Sequence, residues 1–233
     1  SNLYARQYEA GVVGAAEAAH ALYGEALGSD ERRVGEEGRA RRAPNQATLY
    51  LTQYEAGVAG AAEAAHALYA EALEIRRRLG REVDVAMTAQ NRANLYLAQY
   101  EAGVADGADA AHALYGEALE IRRRLGREVE VAGTAQNWAN LYLAQYEAGV
   151  ADGAEAAHAL YAEALEIHRR LRREVEVAQT AQNRANLYQR QYEAGVAGAA
   201  EDAHALYGEA LEISRRLRRE VQLARTSQTL ASL

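Results

Sequence analysis

One interval governs this chain. The pentapeptide Tyr-Glu-Ala-Gly-Val begins at Tyr8, Tyr54, Tyr100, Tyr146 and Tyr192, each 46 residues after the last. The remaining tyrosines keep the same step, as Tyr4, Tyr50, Tyr96, Tyr142 and Tyr188, and as Tyr23, Tyr69, Tyr115, Tyr161 and Tyr207. Histidine follows at His20, His66, His112, His158 and His204, and only His168 breaks step. A fixed period of this length means stacked copies of one supersecondary unit, each burying its neighbour's apolar face. The expectation is a single repeat array over residues 1–233 with about five 46-residue units.

Two helices can be read within a unit. Residues 83–101 place Val85, Ala89, Ala93, Tyr96 and Tyr100 on one face at helical spacing. Residues 106–125 place Ala111, Leu114, Tyr115, Ala118, Ile121 and Leu125 on another stripe. Gly103 and Asp106-Gly107 supply the break between them, with Asp106 offered as an N-cap. One continuous helix is the alternative, opposed by the glycines at about 1 kcal/mol each relative to Ala. Ala, Leu, Glu and Arg dominate while Phe and Cys are absent, so the chain reads as all-α.

Charge agrees with these helix ends. Glu82 and Asp84 open the first helix and Arg76 to Arg78 close the preceding second one, each at the pole that favours its sign. The arginine runs therefore read as solvated faces. Residues 28–43 replace the regular pattern with a charged, Gly-interrupted stretch followed by Pro44, and predict an irregular connection. Residues 221–233 read as a final, unpaired copy of the first helix.

Several function classes are disfavoured. A net charge of −7 argues against nucleic acid as the main partner. No apolar run is long enough for a membrane span. Absence of cysteine suits a reducing compartment, and a cytoplasmic location is expected. The histidines recur with no second ligand type, so no metal or other cofactor is expected. No nucleophile–base arrangement or phosphate loop is present, and an enzyme is not expected.

The spacing resembles the tetratricopeptide repeat family. Ala93 and Tyr96 fit its first helix, and Ala65, Tyr69 and Ala72 fit its second. The sets recur as Ala139/Tyr142 with Ala111/Tyr115/Ala118, and as Ala185/Tyr188 with Ala157/Tyr161/Ala164. The phrases Ala-Leu-Glu-Ile-Arg-Arg-Arg-Leu-Gly and Ala-Asn-Leu-Tyr look most like its longer, kinesin-light-chain variety. Tyr96 and Ala111 lie further apart than the family's pattern, and Arg92, Trp138 and Arg184 stand where Leu is usual.

The resemblance implies a right-handed superhelical solenoid of antiparallel helix pairs whose first helices line a concave, peptide-binding groove. The amides on that side are Gln90, Asn91 and Asn94, then Gln136, Asn137 and Asn140, then Gln182, Asn183 and Asn186. Side-chain amides both donate and accept, so they could pair with the backbone of an extended peptide. The resemblance gives that role to the place of Asn94, and a carboxylate contact to the place of Asn91. The lysines that would complete a carboxylate clamp are missing. Two readings stay open for the amides: groove residues of a peptide- or protein-binding scaffold, or bonds between neighbouring helices. A further reading of the whole is a structural or engineered array that associates with itself end to end.

Overall fold

The computed structural model describes residues 35–104, 106–150 and 153–231, with side chains to residue 218. The first copy of the repeat, and residues 28–34 of the expected irregular connection, lie outside the described residues. Eight helices and no strand are found among the described residues. They divide between two compact units, one ending at Leu125 and one beginning at Gly126. The first unit holds α1 (Glu36–Glu55), α2 (Ala61–Arg78), α3 (Glu82–Glu101) and α4 (Ala108–Arg124). The second holds α5 (Glu128–Glu147), α6 (Gly153–Arg170), α7 (Glu174–Glu193) and α8 (Ala199–Ala231). Within each unit every helix packs on the next, and the first helices touch directly, α1 against α3 and α5 against α7. None of the described helices is long and apolar enough to cross a membrane.

The break inside each pair is a glycine turn, so the continuous-helix alternative does not occur. After α3, Val104 N–H donates to Gln99 C=O at 2.9 Å and Gly103 N–H to Tyr100 C=O at 2.9 Å, with Gly103 at φ +85°. This paired closure needs a left-handed residue just past the helix, which glycine adopts without a Cβ clash. The same bonds recur at Val58, Val150 and Val196. Asp106 is not the cap: Gly107 holds that place at φ +102°, with no side-chain hydrogen bond. A Cβ at Gly107 would lie 2.4 Å from the Tyr96 ring, so the second helix can begin there only with glycine.

Antiparallel pairing shows in the ion pairs at the helix ends. Arg78 at the end of α2 meets Glu36 at the start of α1 at 2.6 Å, and Arg124 meets Glu82 at 2.9 Å. In the second unit Arg170 meets Glu128 at 3.1 Å and Arg216 meets Glu174 at 2.7 Å. Such exposed pairs contribute little stability but mark the register. Stability comes from the apolar seams. Ala47 of α1, Ala62, Ala65 and Tyr69 of α2, and Leu95 of α3 form one buried cluster; Ala139, Ala154, Ala157, Tyr161 and Leu187 repeat it in α5, α6 and α7. Each such Leu is worth about 1.5–3 kcal/mol when removed from water.

Three expectations need correction. Residues 36–43 are the first two turns of α1 rather than an irregular connection. Ala40, Ala43, Ala47 and Leu49 are buried at the same register as Ala86, Ala89, Ala93 and Leu95, and that packing overrides the glycine and the proline. Residues 221–231 are not a separate helix but the continuation of α8. Finally, the arginine runs are not simply solvated. Arg77 crosses to Glu117 at 2.5 Å and Arg78 to Glu36, but Arg76 is 5% exposed and donates to the Asp84 carbonyl at 3.1 Å and to Thr88 Oγ1.

The turn that follows a second helix uses Gly80 at φ +65° and Gly126 at φ +65°, but Arg172 at φ +55°. A non-glycine residue there costs about 1–2 kcal/mol. Part of that is offset because glycine loses more backbone freedom on folding. Arg172→Gly is therefore expected to stabilise the second unit by about 0.5–1 kcal/mol in chemical denaturation. An unchanged midpoint would mean that the turn carries no strain.

Candidate binding groove

The amides of the first helices divide into three groups by what they touch. Asn94, Asn140 and Asn186 each directly follow a buried alanine, Ala93, Ala139 and Ala185. Each Oδ1 accepts a hydrogen bond from the tyrosine of the second helix: Tyr115 to Asn94 at 2.7 Å, Tyr161 to Asn140 at 2.6 Å and Tyr207 to Asn186 at 2.7 Å. In the earliest described copy Thr48 takes the place of Asn94 and meets Tyr69 Oη at 3.2 Å. Tyr69, Tyr115 and Tyr161 are wholly buried, and burial pushes the phenols of all three up from their ordinary value. These hydroxyls must find a partner inside the protein, which the asparagines supply to Tyr115 and Tyr161 and Thr48 to Tyr69.

A second group joins neighbouring first helices. Thr180 Oγ1 of α7 donates to Gln136 Oε1 of α5 at 2.5 Å, and Asn183 Nδ2 donates to Asn140 Oδ1 at 3.3 Å. Gln90 instead accepts from Arg122 of α4, the second helix of its own pair. Asn137 is half-buried and Gln182 exposed.

Asn91 belongs to the third group. It lines a cavity of about 320 Å³ between α1 and α3, together with Arg41, Asn45, Thr48 and Met87. Asn45 precedes Asn91 by one 46-residue step, and Arg41 precedes Met87 likewise. Arg76, Arg81, Glu37 and Asp84 close one end. There Arg81 pairs with Glu37 at 2.7 Å and Asp84 at 2.6 Å, so those charges are spent on each other. Arg41 is exposed and has no ion pair among the described residues. Arg41 falls within the irregular connection expected over residues 28–43, and neither it nor Asn45 is among the amide positions named from the sequence, although the 46-residue step marks both.

A wider cleft of about 670 Å³ opens at the hairpin tips of α5 and α7, lined by Tyr146, Glu147, Gly149, Arg190, Glu193 and Ala194. Arg190 replaces the alanine of Ala98 and Ala144 and spans Glu147 at 2.7 Å and Glu193 at 3.1 Å. Its charge is satisfied in place.

Two of the repeated histidines, His66 and His158, bond between helices. His66 Nε2–H donates to Gln99 Oε1 at 2.7 Å with its ring 4.1 Å from that of Tyr96, and His158 repeats this with Gln191 at 2.8 Å and Tyr188 at 4.0 Å. In both, Nδ1 is buried without a hydrogen-bond partner. Burial, with Arg92 or Arg184 nearby and against the amide hydrogen bond, holds both imidazoles below their ordinary value. His168, at the place of Arg76, is 3% exposed and is also held low, by burial and by Arg173 against the pull of Glu176.

Among solved structures the chain is similar to the crystal structure of BtubC (BKLC) from P. vanneervenii. The TM-score is 0.71 at 25% sequence identity, over 91% of this chain and 77% of that chain. No family model matches the sequence, and no curated protein matches it. The fold is thus that of a tetratricopeptide-like tandem helical repeat.

A histidine held low in the folded chain is neutral there, and below its ordinary value near 6.5 the unfolded chain binds more protons. Its stabilising contribution is complete above that value and is lost as pH falls through the folded value. The melting temperature is expected to be level above pH ~7 and to fall as the pH drops below ~6.5. Replacing His158 and His168 together by Gln should flatten that fall. An equally steep fall in the variant would contradict this assignment.

Proposed function

We propose that this chain is a protein–protein interaction scaffold that takes an extended peptide segment of a partner along its first helices. The observation that carries the reading is the cavity between α1 and α3. It is lined by two amides one repeat apart, Asn45 and Asn91, with the Arg41 guanidinium and the exposed Met87 thioether beside them. Amides at a regular step suit a peptide backbone, which offers donors and acceptors in alternation. A cation and a flexible apolar side chain beside them add selectivity for the peptide's own side chains.

The nine amides named from the sequence divide accordingly. Asn91 and Gln182 are the better candidates for direct ligand contact, while Asn137 and Asn183 already engage neighbouring groups. Asn94, Asn140 and Asn186 act through the tyrosines they hold, and Gln90 and Gln136 through neighbouring side chains. Likeness to a helical repeat protein supports the scaffold role, since helical repeats present extended binding surfaces. The partner is a peptide or protein, without need of nucleic acid or membrane, in a cytoplasmic setting.

A peptide-display screen against the immobilised chain, followed by titration calorimetry, tests the reading. Arg41→Ala with Asn91→Ala is expected to weaken selected peptides by about tenfold or more while helical circular dichroism is unchanged. Undiminished binding by the double variant, or no peptide enriched over an unrelated helical protein, would remove the groove from the account.

A further inference from the structure

Among the described residues each second helix carries one leucine at the same place, and three of the four are covered. Leu73, Leu119 and Leu165 are 1%, 2% and 1% exposed, whereas Leu211 of α8 is 50% exposed. Tyr207, at the place of the wholly buried Tyr161, is half-buried. In the second unit the cover over Leu165 comes from the next first helix, where Val177, Ala178 and Ala181 share a cluster with it.

The segment that would cover Leu211 is present in the chain. Residues 221–233 follow the first-helix sequence at the 46-residue step. Leu223, Ala224, Ser227 and Leu233 stand at the places of Val177, Ala178, Ala181 and Leu187. In α8, however, this stretch continues straight on from the second helix as far as Ala231. Gly80, Gly126 and Arg172 turn the chain back at positive φ in the other described copies. The corresponding Arg218 is helical. A copy of the covering helix therefore sits on the wrong side of the turn to cover its own chain.

We propose that the second copy of this chain supplies the cover: two chains exchange residues 219–233, each lying antiparallel on the Leu211 face of the other. Straight α8 has 33 residues, or about 50 Å. Laid antiparallel with crossing near Arg218, two such helices place each first-helix copy over the other's second helix. The arrangement has the antiparallel sense and the residue set of the junction between α6 and α7. It is isologous and closes on itself, so it stops at a dimer rather than growing end to end. It uses only the far end of the second unit and does not depend on peptide binding in the groove.

The chain has no cysteine, which makes a disulfide test clean. In sedimentation velocity over micromolar concentrations the unaltered chain is expected to run as a dimer, and Leu211→Glu to raise the dissociation constant by ~100-fold or more. The variant carrying Leu211→Cys and Leu223→Cys, oxidised and run without reductant, is expected to form a band at twice the chain's mass. A monomeric unaltered chain, an L211E variant that still dimerises, or a double-cysteine variant bridged only within one chain or not at all would each overturn the proposal.

Discussion

The hydrogen bond from a buried tyrosine to an asparagine on the facing helix holds each unit in one register. Tyr161 is wholly buried, and its hydroxyl has to be satisfied there. Asn140 Oδ1 at 2.6 Å satisfies it, and the same oxygen also accepts Asn183 from the next first helix at 3.3 Å. One carboxamide thus ties a helix pair together and ties that pair to its successor. Apolar area drives the association of the helices. The polar contact selects the one sliding position in which no buried group goes unpaired.

This arrangement constrains where binding can occur. An asparagine engaged in the seam cannot be altered to suit a ligand without loosening the pair. Adaptation is left to the next places on the first helix, where the copies differ: Arg41, Met87 and Gln179 occupy one exposed place in three of them, and Gly133 its half-buried counterpart. In an otherwise near-constant repeat, variation on an open face has no cost in packing. The inner face, with Tyr69, Tyr115 and Tyr161 unchanged, has no such freedom.

Much of the fold was legible in the sequence. The 46-residue step, the two helices per unit and the glycine break all follow from periodicity and backbone preference. Three features were hidden for physical reasons. Local propensity around Gly35, Gly38 and Pro44 argued against helix at the start of α1, while tertiary burial of Ala40 and Ala43 decided for it. The chain runs on as helix through Arg218, where Arg172 at the corresponding place turns, so the residue type at that place does not announce which course is taken. The amides were correctly placed on the first helices, but periodicity gives a face and not a partner. Only the distance to Tyr115, Tyr161 or Tyr207 separates a seam residue from a groove residue.

A double-mutant cycle on Tyr161→Phe and Asn140→Ala, read by chemical denaturation, tests the tyrosine–asparagine lock most directly. The account predicts that the two substitutions together cost less than their separate effects summed, with a coupling of about 1 kcal/mol or more. Strictly additive effects would contradict it, and would mean that the seam is set by apolar packing alone.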